Sequence, residues 1–394
     1  LPPFSYAIST NLVFGNGTVA SLPAKLTELG FGRRIFLVTD PGLLDAGIPE
    51  RLKSVLDGAG FSTTLFSQVR PNPRDSDCMA GAKEFAAKRC DAIVAVGGGS
   101  AMDTAKTIAL LARQGGTPSA YADGLRSYGE TAPVACIPTT AGTGSEVTRS
   151  AVITEADTHR KMTLKHEWLR PAFALLDPEL TVTVPPSVTA ATGVDALVHA
   201  IEGYSCTKSQ PISRAFGAQA LGLIYRALPR AYSTPDDLDA RSDMLLGSLL
   251  AGLCFGSADV AAVHCLAEAL GGLYDTPHGI ANAVFLLPVL RYNVVGHEAI
   301  HAEIARHMGV AAQADSDGDA VQRLLDEIEQ WLAQLDIPPI TRLNGVNRAD
   351  DDRIVELAMA NGSTSSNVRP LTAEAYRAIL DDAYESAQEG RDIG

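Results

Sequence analysis

Ala92-Ile-Val-Ala-Val-Gly-Gly-Gly-Ser-Ala-Met-Asp-Thr-Ala-Lys106 runs from a short apolar segment through three glycines into a helix-forming stretch. Residues 92–96 are apolar at every position, as in a strand covered on both faces, where polar alternation is lost. Glycines placed directly after such a strand let the backbone approach a phosphate, and the free N–H groups of the helix start can hold the anion. Ser100 adds a hydroxyl donor. Gly97, Gly98, Gly99 and Ser100 can be an ordinary tight turn, but their place between strand and helix favours a dinucleotide turn. The pattern is neither G-x-G-x-x-G nor a Walker loop, because Lys106 falls outside the Walker spacing.

Upstream, Ile35-Phe-Leu-Val-Thr39 repeats the buried-strand pattern, and residues 49–58 and 77–88 between the two runs have helical spacing. This alternation predicts an α/β dinucleotide-binding domain with a doubly wound parallel sheet. Asp40 ends the strand at 35–39, where a carboxylate can bind the two hydroxyls of an adenosine ribose and repel a 2′-phosphate. NAD is thereby preferred over NADP, although an Asp before Pro41 can also be a simple turn residue. Downstream, Pro138-Thr-Thr-Ala-Gly-Thr-Gly-Ser-Glu-Val-Thr148 follows the apolar run 134–137 and offers many hydroxyls. Its plain reading is a Thr/Gly-rich loop.

From Pro185-Pro186 onward the texture changes to Ala- and Leu-rich helical segments at 189–204, 212–228, 238–251, 260–270, 297–307 and 319–335. The expected organisation is an α/β NAD-binding domain over residues 1–185 and an all-α metal-binding domain over 186–394. In the second half, Gly193-Val-Asp-Ala-Leu-Val-His-Ala-Ile-Glu202 sets Asp195 and His199 four residues apart, on one face of a helix. Such a pair alone is commonly a surface ion pair or a satisfied core histidine. His264, however, sits in the apolar run Val260-Ala-Ala-Val-His-Cys-Leu-Ala267, where an unpaired imidazole is costly to bury. His278 follows Pro277 at the entrance of another apolar stretch, where the helix dipole keeps the ring neutral and able to coordinate. One carboxylate and three imidazoles make a first-row metal shell.

The chain has 394 residues, 46% hydrophobic and 6% aromatic, enough for two packed domains. Its formal net charge of −14, with no basic patch, argues against a nucleic-acid partner and for small molecules or copies of itself. Cys78, Cys90, Cys136, Cys206, Cys254 and Cys265 show no C-x-x-C spacing, which favours free thiols in a reducing compartment. No run is long enough to span a bilayer, and Leu1-Pro-Pro-Phe-Ser carries no signal-peptide pattern. A cytoplasmic enzyme without membrane contact is the expectation.

With these residues in view, the chain resembles the iron-containing (group III) alcohol dehydrogenases, which include lactaldehyde reductases and propanediol dehydrogenases. The resemblance rests on Gly97-Gly-Gly-Ser-Ala-Met-Asp103, Pro138-Thr-Thr-Ala-Gly-Thr-Gly-Ser-Glu146, Gly193-Val-Asp-Ala-Leu-Val-His-Ala-Ile-Glu202 and Pro277-His-Gly-Ile-Ala-Asn282, in that order along nearly the whole length. It implies a metal held by Asp195, His199, His264 and His278, usually Fe(II) and sometimes Zn(II). It also implies NAD(P) contacts from Asp40, Asn72, the turn at 97–100, Asp103, Thr139, Thr140, Thr148 and Lys161. A homodimer or larger homo-oligomer, sharing an N-terminal strand at its interface, belongs to the same implication. The implied reaction moves a hydride between NAD(H) and a small alcohol or aldehyde.

One position departs from the family pattern. After the third ligand the family often reads His-x-x-x-His, whereas this chain reads His264-Cys-Leu-Ala-Glu268. Glu268 can take up or relay a proton there, or turn to a structural partner and have no catalytic role. Two other readings compete with this one. A metal- and NAD-dependent cyclase or lyase of the dehydroquinate synthase type needs a Lys/Arg cluster for its phosphorylated substrate, and the metal motifs here are poor in basic residues. A degenerate relative that binds cofactor without turnover is invited only by Glu268.

Overall fold

The computed structural model describes residues 3–389. Their contacts divide into two compact units, one spanning Ala7–Val184 and the other running from Pro185 onward together with the leading chain up to Tyr6. Tyr6 joins the second unit through its ring, whose centroid lies 6.0 Å from that of Phe216.

In the first unit, β1 (Asn11–Phe14), β2 (Arg34–Val38), β3 (Ser62–Phe66), β4 (Ala92–Gly97), β5 (Val134–Pro138) and β8 (Phe173–Leu176) form one sheet in the order β1-β8-β5-β4-β2-β3. Every pairing in it is parallel. Alternate residues of each strand feed opposite cores: Phe36, Val38, Ile93 and Ala95 pack into one, Ile35, Leu37, Val94 and Val96 into the other. Both faces are covered, which is why β4 is buried along its whole length and reads as a continuous apolar run. The chain leaves β2 for β3 on one side and returns to β4 on the other, so the topological switch lies between the carboxyl ends of β2 and β4. Asp40 and the glycine turn both emerge there.

A two-stranded antiparallel sheet, β6 (Ser150–Thr154) with β7 (Lys161–Lys165), was not expected from the sequence. Its signal is the short alternation of Lys161-Met-Thr-Leu-Lys165, with Met162 and Leu164 buried and Thr163 and Lys165 exposed. Five residues per strand give such a pattern little weight against loop propensity.

The second unit holds no strand among the described residues. Helices Pro186–Ser205, Pro211–Ser233, Leu238–Gly256, Ala262–Tyr274, His278–Val294, Glu298–Met308 and Asp317–Ala333 account for most of it. Helix Pro186–Ser205 starts with Pro at its first position and is buried at every residue from Gly193 to Ser205. A helix covered on all sides lies at the centre of its bundle, so any polar side chain it carries must find a partner there. Helices Asp351–Ala360 and Ala373–Glu389 lay outside the expected segments. No helix of the described residues is long and apolar enough to cross a membrane.

Candidate metal centre and cofactor turn

Asp195 and His199 sit one turn apart on the central helix of the second unit, 2% and 5% exposed. His264 comes from the first turn of helix Ala262–Tyr274, and His278 is the first residue of helix His278–Val294. Asp195, His199 and His264 each offer one ligand atom, and the three atoms lie within 4.8 Å of one another. His264 Nε2 is 3.0 Å from His199 Nε2, and both His264 Nε2 and His278 Nε2 are 3.6 Å from Asp195 Oδ1. Around a tetrahedral ion with bonds of about 2.0–2.1 Å, neighbouring donors stand about 3.3–3.4 Å apart. The spacing brackets that value. His199 is also stacked on Phe255, with ring centroids 4.1 Å apart.

The chemistry of the donor set fits a divalent cation as well. Two ring nitrogens 3.0 Å apart repel as lone pairs unless a proton or an ion lies between them. Burial works to raise Asp195, but the imidazoles of His199, His278 and His264 hold it well below the usual carboxylate range. Burial likewise opposes charge on His264, yet Asp195 and Glu202 raise it to about 10. Buried carboxylates surrounded by imidazoles thus call for positive charge at this point. Asn282, fully buried, directs Nδ2 at Asp195 Oδ1, 2.6 Å away, and at His278 Nε2, 3.2 Å away, while its Oδ1 has no hydrogen-bond partner.

Sequence reasoning missed Asn282 and Glu202 as members of this cluster. Their spacing held the signal: Asn282 lies four residues after His278, and Glu202 seven after Asp195, each on the ligand face of its helix. Glu268 lies one turn beyond His264 and accepts a hydrogen bond from Asn361 Nδ2 at 2.7 Å. Its carboxylate has a protein partner.

In the first unit, β4 delivers Gly97, Gly98, Gly99 and Ser100 to the start of helix Gly99–Gln114, whose N-cap Gly98 makes no side-chain cap. A glycine N-cap offers the first-turn N–H groups no side-chain acceptor of its own, an arrangement suited to an anion. Part of the glycine requirement is internal. A Cβ on Gly99 would stand 2.7 Å from Thr143 Cγ2, and one on Gly98 3.2 Å from Thr140 Oγ1, so the Thr-rich loop packs straight onto the turn. Thr139 ties the two further, donating its backbone N–H to Gly97 O at 3.1 Å. Asp40 caps helix Pro41–Asp45 through Leu43 N at 3.3 Å, and its Oδ2 lies beside Gly97. Burial raises its carboxyl.

The remaining residues assigned to the cofactor divide into two groups. Lys161 Nζ donates to Asn72 Oδ1 at 2.6 Å, which joins β7 to the loop before helix Asp75–Ala87. Asp103 is already engaged, with Oδ1 accepting from Ser145 Oγ at 2.6 Å and Oδ2 from Val152 N at 2.9 Å. Lys106, wholly buried, donates to Ser145 Oγ at 2.7 Å, Thr148 Oγ1 at 3.2 Å and Ser150 O at 2.9 Å. Asp103 and Thr148 therefore belong to an internal brace that fixes the loop over the glycine turn. Burial pushes Asp103 up and Lys106 down, and the opposite charge of each works against the other's shift.

Comparison with known proteins accords with this geometry. Residues 9–178 match the family model described as iron-containing alcohol dehydrogenase, and residues 189–384 match the C-terminal model of the Fe-containing alcohol dehydrogenase family. The chain is 36% identical to 1,3-propanediol dehydrogenase of Klebsiella pneumoniae over 97% of its own length and 99% of the relative's. Alcohol dehydrogenase 4 of Schizosaccharomyces pombe is 35% identical over 97% of this chain and 90% of its own. A solved 1,3-propanediol oxidoreductase superposes with a TM-score of 0.92 at 36% identity, covering 97% of this chain and all of the other. Matches to both family models, together with full-length likeness to these enzymes, place the chain in the iron-containing alcohol dehydrogenase family, whose members are metal-dependent oxidoreductases moving a hydride between NAD(H) and an alcohol or aldehyde.

Proposed function

We propose that this chain is an NAD-dependent dehydrogenase of short primary alcohols and diols, with Fe(II), or else Zn(II), held by Asp195, His199, His264 and His278. The observation that carries the reading is the buried cluster of Asp195, His199 and His264 from two helices, with the half-buried His278 of a third bringing its Nε2 to 3.6 Å from Asp195 Oδ1. Residues 1–185 would be the cofactor domain and 186–394 the metal domain. Relatives named 1,3-propanediol dehydrogenase and NAD-dependent methanol dehydrogenase support the substrate class and the cofactor.

When bound, the ion supplies Lewis-acid polarisation of a substrate oxygen, and nicotinamide supplies or receives the hydride. Asp195 contributes the anionic ligand and the three imidazoles contribute neutral ones, leaving net positive charge where an alkoxide character develops. Gly98, Gly99 and Ser100 offer backbone and hydroxyl donors to the pyrophosphate, with Thr139 and Thr140 beside them. Asp40 accepts from the adenosine ribose hydroxyls and repels a 2′-phosphate. Asn72 and Lys161 act as a hydrogen-bonded pair, and Asp103 and Thr148 act through the Lys106 brace. Glu268 keeps two roles in the proposal, taking up or returning the hydroxyl proton, or serving only as the structural partner of Asn361, whose Nδ2 donates to it.

A homodimer or larger assembly is part of the proposal. β1 lies at the sheet edge with Leu12 and Phe14 exposed at 40% and 36%, an edge unpaired among the described residues and of the kind native proteins cover. The six cysteines are free and buried, in keeping with a cytoplasmic enzyme. The test is NADH formation across a panel of short primary alcohols and diols, with and without added Fe(II) or Zn(II). Metal-dependent NADH formation with at least one short alcohol is expected. NAD binding with no turnover under any condition would instead identify a cofactor-binding protein without enzymatic function.

A further inference from the structure

Helix Pro186–Ser205 carries Asp195, His199 and Glu202 at intervals of four and three, so one helix face presents two metal ligands and a third acid. Glu202 is 3% exposed and makes three contacts. Ala261 N donates to Oε2 at 2.8 Å, Val263 N donates to Oε1 at 2.7 Å, and His264 Nδ1 lies 2.6 Å from Oε2. A backbone N–H can only donate, so both oxygens already serve as acceptors. The third contact is satisfied when Nδ1 of His264 bears the proton. That tautomer leaves the Nε2 lone pair directed at the Asp195 and His199 donors, 3.6 and 3.0 Å away.

Helix Ala262–Tyr274 has Ala261 at its N-cap and no side-chain cap of its own. Glu202 supplies that cap from the neighbouring helix, and the same carboxylate orients the histidine in the first turn. We infer that Glu202 is a positioning residue for the metal centre, holding His264 in the Nδ1–H tautomer and locking the third ligand to the helix that carries the first two. The inference rests on the metal reading above. Outer-shell carboxylates that orient a ligating histidine typically change metal affinity by about 10–100-fold when replaced.

Glu202→Gln keeps one oxygen acceptor but turns an NH2 group toward one of the three donors, so the set can no longer be satisfied together. Glu202→Ala removes the cap and the orienting group at once. The measurement is the affinity of each folded, metal-stripped protein for Zn(II), by competition with a chromophoric chelator, alongside the melting temperature of the metal-free form. For the Zn(II)-loaded protein with 15N-labelled histidine, the expected spectrum contains a hydrogen-bonded Nδ1–H for His264. Glu202→Gln should weaken Zn(II) binding at least tenfold and displace that resonance, beyond any change in metal-free melting. Binding within twofold of the parent, with only the melting temperature lowered, would reduce Glu202 to a helix cap and overturn the inference. If Glu202→Ala does not fold, Glu202→Gln and the parent's own spectrum decide, since ligation of His264 through Nδ1 also overturns it. A parent that binds no Zn(II) or Fe(II) defeats the metal reading itself, and this inference with it.

Discussion

Asp40 and Glu146 are both partly or wholly withdrawn from water, and each makes a separate prediction. Asp40 is a helix cap and the proposed ribose reader, and a cap replaced by Gly loses only a few tenths of a kcal/mol. Asp40→Gly should therefore stay folded while its NADP-to-NAD ratio of kcat/KM rises about tenfold, equivalent to ~1.4 kcal/mol. An unchanged ratio would show that this carboxylate does not read the ribose. Glu146 is 2% exposed, its Oε1 lacks a partner, and burial raises its carboxyl to about 7. Because the folded value lies above the unfolded one, its favourable contribution is complete below about pH 4.5 and is lost as pH rises through 7. Between pH 5 and 8 the parent should lose ~2–3 kcal/mol through this group. Urea unfolding of Glu146→Gln should show a flatter pH dependence, and parallel curves would refute the assignment. At this scale the sequence displayed His264 clearly, because an imidazole in an apolar run needs a partner. It hid the pairing of Asp103 with Ser145, because that depends on a loop 42 residues away.

Between elements, the candidate metal centre depends on how closely helix His278–Val294 approaches helix Pro186–Ser205. Gly279 sets that distance: a Cβ there would run into the backbone carbonyl of Ala191, which cannot swing away as a side chain can. Gly279→Ala should force the helix start outward, cost about 1–3 kcal/mol as other overpacking changes do, and weaken metal retention by moving His278. Elemental analysis after dialysis, paired with thermal melts, checks both effects, and full metal content in a destabilised variant would separate packing from ligand placement. Strands buried on both faces were legible because a short, uninterrupted, β-branched apolar run closed by turn residues suits little besides a covered strand. The β6/β7 pair and helices Asp351–Ala360 and Ala373–Glu389 were not, since short alternation and charged amphipathic faces stand out weakly from loops.

For the whole molecule, the α/β unit carries a glycine turn at its switch point and the helical unit a buried His/Asp cluster, the features to which the proposed function gives cofactor and ion respectively. Composition pointed to small-molecule partners, and the four motifs in their order pointed to the family. Specificity within the alcohols was not legible, because it is set by side-chain placement rather than by motif. Dependence of turnover on an ion bound by Asp195, His199, His264 and His278 is what the proposed function requires. It is tested by measuring metal content and NAD-dependent oxidation of a short diol in the same preparations of the parent and His264→Ala. The variant, folded by circular dichroism, should retain under about a tenth of the parent's metal and lose turnover by at least ~100-fold, in line with removal of a principal electrostatic stabiliser. Full turnover by a metal-free variant would contradict it.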